Sequence, residues 1–193
     1  AMVAATWDTG LSVHGHSHWR KPIAQREASE ANLSQAWKLM RDSSRPWVLG
    51  DRSPAVMHWR YRSPASNKAG SSVRMAALGR RWPWASSAGV SVIRVPSCED
   101  GTTDSGVAHW LDWIGVPEQV GLGLRAAQAA AAAAGCSSLQ AWLSPGPWKL
   151  LKDSGAREHT EVARIGIPTA SGLSAQEALQ LPWWFMGGDT DFL

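Results

Sequence analysis

Cysteine is scarce in this chain of 193 residues, and the scarcity argues against two kinds of architecture. Cys98 and Cys136 are the only two cysteines, and they form no CxxC pair. Neither a zinc site nor a disulfide framework is therefore indicated. Cys136 follows the end of a predicted helix, so we expect it to be a small buried residue.

The chain also lacks an apolar run long enough to span a bilayer. Its first residues show no charged region followed by an apolar segment, so we expect no secretory signal peptide. The net charge is +3, but the basic residues are scattered, and no basic helix or zinc-finger spacing gathers them. We therefore expect a cytoplasmic protein that binds neither a membrane nor nucleic acid.

Tyrosine and phenylalanine are rare, with one and two copies, whereas tryptophan occurs thirteen times. Each tryptophan offers a large apolar area and one N–H group that needs a partner when it is buried. We expect most of these residues to fill the core. A surplus of this size is also compatible with an aromatic pocket for a small molecule.

A glycine-bearing turn and an alanine-rich run form the most informative segment. The sequence predicts a strand that ends at Pro117, a short turn and then a helix over residues 121–134. A helix that begins on glycines presents bare backbone N–H groups and a positive dipole end, which suit a phosphate or pyrophosphate. The predicted cofactor-binding residues are Gly115, Val116, Gln119, Val120, Gly121, Leu122, Gly123 and Leu124.

The rest of the chain alternates between predicted helices and strands, which favours an α/β (α+β) fold with a mixed sheet. We expect one domain over residues 1–193, with an N-terminal extension at 1–22 and a long loop at 62–87. Strands 46–50 and 55–61 can form a hairpin. Further strands are predicted over 90–95, 107–116, 139–143, 159–167 and 183–186, and further helices over 24–40, 148–154 and 175–179.

The second half, about residues 105–193, resembles the GNAT superfamily of N-acetyltransferases. In that family a strand leads to a pyrophosphate loop of the type Gln/Arg-x-x-Gly-x-Gly/Ala, which opens a helix. Another strand, a short helix and two closing strands follow. Here residues 107–116 match the first strand, Gly121 and Gly123 match the loop glycines, and 148–156 match the short helix. The resemblance implies a GNAT-like mixed sheet flanked by helices and acetyl-CoA or another acyl-CoA as cofactor.

Three positions depart from the family pattern. Glu118 stands where the loop motif has Gln or Arg, and the segment between Pro117 and Gly121 is about two residues short. Leu151 stands where the family often has a tyrosine that acts as general acid, and the single tyrosine, Tyr61, is far away in the sequence.

Acyl transfer to an amine requires a group that accepts the amine's proton. Asp112 and His109 on strand 107–116, and Glu99 just before it, are candidates for this role. In a regular strand His109 and Asp112 would face opposite sides. Asp189 and Asp191 are further candidates, because they follow the aromatic run at 183–185 and share a face if they are extended.

His14, His16 and His18 alternate, so a strand would turn all three imidazoles to one face, and three histidines can bind zinc. The aspartate of the HxHxDH hydrolase signature is missing, and Gly15 and Ser17 favour a loop. We therefore predict no metal site.

Three functions remain open from the sequence. The first is a GNAT-like N-acyltransferase that moves an acyl group from CoA to a small-molecule amine. The second is a repurposed GNAT-fold enzyme without acyl-CoA. It would bind an apolar small molecule in a Trp-lined cleft and catalyse a cyclisation, elimination or rearrangement by acid/base chemistry. The third is a non-catalytic binding module. In each case the partner is a small molecule, and a homodimer is one expected assembly.

Overall fold

The computed structural model describes residues 1–10, 24–43, 47–62, 71–79, 89–96, 106–163 and 174–189. Its strands are β1 (Met2–Asp8), β2 (Ala24–Glu27), β3 (Val48–Leu49), β4 (Ser71–Gly79), β5 (Gly89–Pro96), β6 (Val107–Gly115), β7 (Ser138–Leu143), β8 (Glu158–Ala163) and β9 (Trp183–Trp184). Its helices are α1 (Glu30–Arg41), α2 (Pro54–Arg62), α3 (Val120–Ala133), α4 (Pro145–Leu151) and α5 (Ala175–Gln180).

Seven strands form one mixed sheet in the order β2-β4-β5-β6-β7-β1-β8. All neighbouring pairs in this sheet are antiparallel except β6 and β7, which are parallel. Helix α3 connects the two parallel strands and packs against the sheet, and α1 packs against β5 and β6. The predicted α/β (α+β) class, with a mixed sheet flanked by helices, is confirmed.

The parallel strands pair only at their beginnings. Their register runs from Val107 opposite Ser138 to Trp110 opposite Ala141, whereas β6 continues to Gly115 and β7 to Leu143. On its other edge β6 has an extra residue, because Ile93 pairs with Trp110 and Val92 pairs with Asp112. Such a bulge bends a strand and re-aims its side chains. A gap between β6 and β7 therefore opens just beyond Trp110.

The N-terminal segment, predicted as an extension, contains a strand inside the seven-stranded sheet. β1 lies between β7 and β8 and pairs antiparallel with both. Trp7 on this strand is fully buried, and its indole N–H donates to Ser154. The predicted closing strand at 183–186 is divided: β9 pairs in parallel with β3 in a separate two-stranded sheet, and only Met186 reaches the seven-stranded sheet, through a bridge to Leu143. The strand partners depend on tertiary packing, which local sequence patterns do not encode.

Residues 55–61 were predicted as a strand and are helical, so the expected hairpin with 46–50 is wrong. Pro54 begins α2, a position that proline favours, and the N–H of Met57 donates to the carbonyl of Ser53 at 3.0 Å. Met57 and Tyr61 are both buried at a spacing of four residues. A strand would turn Trp59 to the same face as these two residues, but Trp59 is 71% exposed, so the burial pattern fits a helix.

Two further element predictions need correction. The predicted loop at 62–87 contains β4, which pairs with β5 over eight residue pairs and so gains long-range hydrogen bonds that its irregular sequence pattern does not reveal. The predicted helix at 24–40 divides into β2 and α1. Ser29 caps α1 and exchanges hydrogen bonds with Asn32, and this capping box fixes the start of the helix.

Tryptophan fills much of the core, as expected. Trp7, Trp110, Trp113 and Trp184 are among the largest fully buried side chains, whereas Trp59 is 71% exposed. Cys136 is buried, which confirms its predicted place. None of the helices in the described part of the chain is both long and apolar enough to cross a membrane.

Candidate functional site

Arg52 is the centre of a buried charged cluster at the gap between β6 and β7. Its Nε donates to both carboxylate oxygens of Asp112, at 3.0 and 3.1 Å, and its Nη1 donates to the carbonyl of Gly50 at 3.1 Å. Its Nη2 donates to Asp189. One guanidinium thus joins the segment before α2, strand β6 and the C-terminal part of the chain.

Asp189 ends a short turn that we call the C-terminal turn, residues 186–189. Besides Arg52, its carboxylate accepts hydrogen bonds from Arg60 Nη1 at 3.1 Å and from the backbone N–H of Met186 at 3.0 Å. The side chains of Arg52 and Asp112 are fully buried, and that of Asp189 is only 6% exposed. Arg52 is thus paired with two aspartates inside the protein, as a buried ion must be, and Arg60, whose side chain is 27% exposed, completes the balance of charge.

Burial and the neighbouring charges shift the protonation equilibria of this cluster. Burial raises the pKa of Asp112 to about 6, although the charge of Arg52 works in the opposite direction. Burial alone would lower the pKa of Arg52, but the charges of Asp112 and Asp189 outweigh it, and the pKa is raised. Asp112 is thus a carboxyl group whose protonation changes near neutral pH, and such groups are typical of functional sites.

Tyr61 joins the cluster from α2. Its Oη is buried and has no hydrogen-bond partner within the part of the chain that the structure describes. Burial, followed by the charges of Asp112 and Asp189, raises the pKa of this phenol well above its ordinary value. Gly188 packs so closely on Tyr61 Oη that a side chain at position 188 would collide with it. Because its pKa is raised, the phenol stays neutral and can donate a proton or a hydrogen bond.

The start of α3 carries the residues that were predicted to bind a cofactor. Residues Pro117–Gln119 form a 3-10 turn, and no side chain caps either this turn or α3. Gly121 borders open space, since a Cβ there would meet no atom within 4 Å. Gln119 and Glu118 are exposed, and Leu122 is partly exposed. The helix start is thus open to solvent at its first turn.

The two loop glycines differ in their surroundings: Gly121 borders open space, whereas Gly123 packs against Trp113. A Cβ on Gly123 would come within 2.8 Å of Trp113 Cδ2, and a Cβ on Gly89 would collide with the same indole. Gly123 is therefore required by the packing of Trp113. Val120 and Leu124 are also buried, and Gly115 ends β6 inside the protein. The carbonyl of Val116 accepts the Trp113 indole N–H at 3.2 Å.

Two of the five predicted proton acceptors lie together, because Arg52 contacts both Asp112 and Asp189. His109 lies in the paired part of β6, opposite Arg94 and Gln140, before the bulge that makes this strand irregular. Glu99 and Asp191 lie outside the described residues, as do His14, His16 and His18. Within the described residues no three His, Cys, Asp or Glu side chains are grouped to hold a metal ion.

Arg52, Arg60 and Tyr61 are functional-site candidates that the sequence analysis missed. Arg52 lies between the two strands of the predicted hairpin and was given no role, and Tyr61 was set aside because it lies far from the glycine turn in sequence. The one local signal was Pro54, a residue that is favoured at the first position of a helix and here begins α2. No local pattern joins Arg52 to an aspartate that lies 60 residues away.

No family model matches this sequence. No curated protein matches it either. Two crystal structures of Saccharomyces cerevisiae N-myristoyltransferase are similar at 10% identity. The structure with bound myristoyl-CoA and inhibitors has a TM-score of 0.46 over 81% of this chain and 46% of that chain. The structure with bound myristoyl-CoA has a TM-score of 0.45 over 79% and 44%. This chain thus spans less than half the length of either.

Proposed function

We propose that this chain is an N-acyltransferase that moves an acyl group from a CoA thioester to the amine of a small molecule. The observation that supports it most is the pair of parallel strands that part beyond Trp110 and Ala141, with α3 beginning at the end of β6. An extended thioester arm with amide groups suits a gap between two strands. The uncapped first turn of α3 suits the phosphates of the same molecule.

Asp112 is our proposed proton acceptor. The amine nitrogen attacks the thioester carbonyl, the C–S bond breaks, and the CoA sulfur leaves with the electron pair of that bond. The amine must lose one proton, and a carboxylate whose pKa is near 6 can accept it at neutral pH. Arg52 holds both oxygens of Asp112 and so orients the carboxylate. Asp189 shares Arg52 with Asp112 and therefore influences its charge.

Binding of acetyl-CoA tests this proposal without knowledge of the acceptor amine. A ligand at a hundred times its dissociation constant stabilises the folded chain by about 2.7 kcal/mol, which a thermal unfolding experiment detects. We expect a rise in the melting temperature with millimolar acetyl-CoA. The next step is a panel of small amines, with release of the CoA thiol as the measure of turnover.

Two charge variants locate the phosphates. Gly121→Glu places a carboxylate at the open first turn of α3, where it should repel a pyrophosphate, and a negative charge there does not disfavour the helix. Ala129→Glu adds the same charge to an exposed position farther along α3. We expect weaker acetyl-CoA binding in the first variant only. Equal binding in both would remove the helix start from the proposal.

A second candidate is acid/base catalysis on an apolar small molecule without CoA. It is favoured by the neutral, buried phenol of Tyr61 next to two carboxylates, which offers a proton donor beside proton acceptors. Failure of acetyl-CoA at millimolar concentration to shift the melting temperature, together with a shift caused by apolar compounds, would favour this candidate over the first.

A further inference from the structure

The C-terminal turn, residues 186–189, occupies the gap between β6 and β7 from the β7 side. Leu143, near the end of β7, pairs with Val3 of β1 on one edge and with Met186 on the other. Two residues earlier in β7, the edge that pairs with Met186 pairs with β6 instead, because Ala141 lies opposite Trp110. The adjoining N–H of Ser144 donates to the carbonyl of Phe185 at 2.9 Å. The turn thus lies beside β7 at the place where β6 would lie if the pairing of β6 with β7 continued.

The same turn also contacts β6. A Cβ on Gly188 would come within 2.9 Å of the carbonyl oxygen of Leu111, the bulge residue of β6, and would collide with Tyr61 Oη. Beyond the bulge, the backbone N–H of Trp113 donates to Asp112 Oδ1 at 2.9 Å. With Met186 paired to β7 and Gly188 packed against β6, the turn spans the gap.

Arg52 and Arg60 hold the turn in place through Asp189. Arg52 binds Asp189 with Nη2 while its Nε binds Asp112, so one side chain ties the turn to β6. Arg60 adds a second contact from α2 at 3.1 Å. Asp112 is fully buried beneath this arrangement. A buried carboxylate can accept a proton from a substrate amine only after part of its cover has moved.

We propose that the C-terminal turn is a latch that competes with the thioester arm of acyl-CoA for the gap between β6 and β7. This inference rests on the proposed function and concerns the regulation of the same site. When the latch is closed, the turn pairs with β7 through Met186, packs against β6 through Gly188, and Asp112 is covered. When it opens, Asp189 leaves Arg52, which keeps its contact with Asp112. The apparent affinity for acyl-CoA is then the affinity of the open form multiplied by the fraction of molecules in which the latch is open.

The experiment compares acetyl-CoA binding by calorimetry in three full-length chains. Asp189→Asn weakens the anchor, and Asp153→Asn makes the same charge change at an exposed position outside the site. We expect Asp189→Asn to bind acetyl-CoA about tenfold more tightly than the wild type, because more molecules are open. Asp153→Asn should bind like the wild type. Without ligand, the backbone amides of Met186 and Asp189 should exchange hydrogen faster in Asp189→Asn alone.

A steric variant repeats the test without a change of charge. Gly188→Ala pushes the turn away from Tyr61 and Leu111, so it should also bind acetyl-CoA more tightly, and it serves if Asp189→Asn does not fold. Equal affinity in the wild type and in the latch variants would overturn the latch and leave the proposed function standing. Absence of binding in every variant at millimolar acetyl-CoA would overturn both.

Discussion

The start of α3 and the Arg52 cluster lie at the same end of the β6–β7 pair, yet they are built in opposite ways. The start of α3 is open to solvent, carries no capping side chain and offers backbone groups only. The Arg52 cluster is buried, holds four charges and joins three segments that are distant in sequence. An open helix start can bind an anion at little cost to stability. A buried ion cluster links stability, protonation and opening of the site to one another.

The largest difference between the two regions should appear when Arg52 is removed. Arg52→Ala leaves Asp112 and Asp189 buried and deprives them of the guanidinium they share, which typically costs about 3–5 kcal/mol of unfolding free energy. Urea unfolding measures the loss. The control is Arg157→Ala, because Arg157 pairs with Asp8 at 2.8 Å where both side chains are more than half exposed. We expect that change to stay within about 1 kcal/mol. Similar losses in both variants would mean that burial adds nothing to the Arg52 cluster.

The second test uses the pH dependence of Asp112. Burial raises its pKa from 3.8 to about 6 in the folded chain, so between these values the folded chain binds more protons than the unfolded chain. The stability due to this group is therefore present at low pH and is lost as the pH rises through about 6. A shift of about two pH units corresponds to about 3 kcal/mol.

Urea unfolding at about pH 4 and about pH 7 measures this effect in the wild type and in Asp112→Asn. The stability of the wild type relative to the variant should fall by up to about 3 kcal/mol as the pH rises across this range. Asp153→Asn, which removes an exposed carboxylate, is the control. A difference between the wild type and Asp112→Asn that does not change with pH would contradict the raised pKa.

The smallest expected effect separates the two glycines at the start of α3. Gly123→Ala forces a Cβ against Trp113, and overpacking of this kind costs about 1–3 kcal/mol. Gly121→Ala meets no atom within 4 Å and improves helix propensity, so it should range from neutral to about 1 kcal/mol stabilising. Thermal unfolding of the two variants measures both changes. A destabilised Gly121→Ala would contradict the open space next to Gly121.

The elements around the glycine turn were predicted well because their signals are local. The strand at 107–116, the helix at 121–134, the strand at 139–143 and a short helix after it all follow from periodicity and from Gly135, which has a φ of 80° at the helix end. The helical state of 55–61 was missed because Val56, Trp59 and Tyr61 favour strands. Tertiary burial of Met57 and Tyr61 outweighed that preference.

The candidate site was predicted only in part. Asp112 and Asp189 were each proposed from the sequence, but for separate reasons and without a connection between them. Their connection is Arg52, which lies 137 residues from Asp189 in sequence. Charge patterns along a chain reveal pairs a few residues apart, as on one face of a helix, and give no information about pairs at such distances.

The sequence by itself determined the class of the fold, the strand–turn–helix unit at β6 and α3, and the absence of a CxxC pair. These features depend on periodicity, turn residues and composition, which act over a few residues. Only the tertiary structure decided that β1 enters the central sheet, that Gly123 packs on Trp113 and that residues 186–189 fill the gap between β6 and β7. The physical reason is that strand pairing, close packing and buried charge balance join residues far apart in the chain. Their energies depend on which surfaces meet in three dimensions.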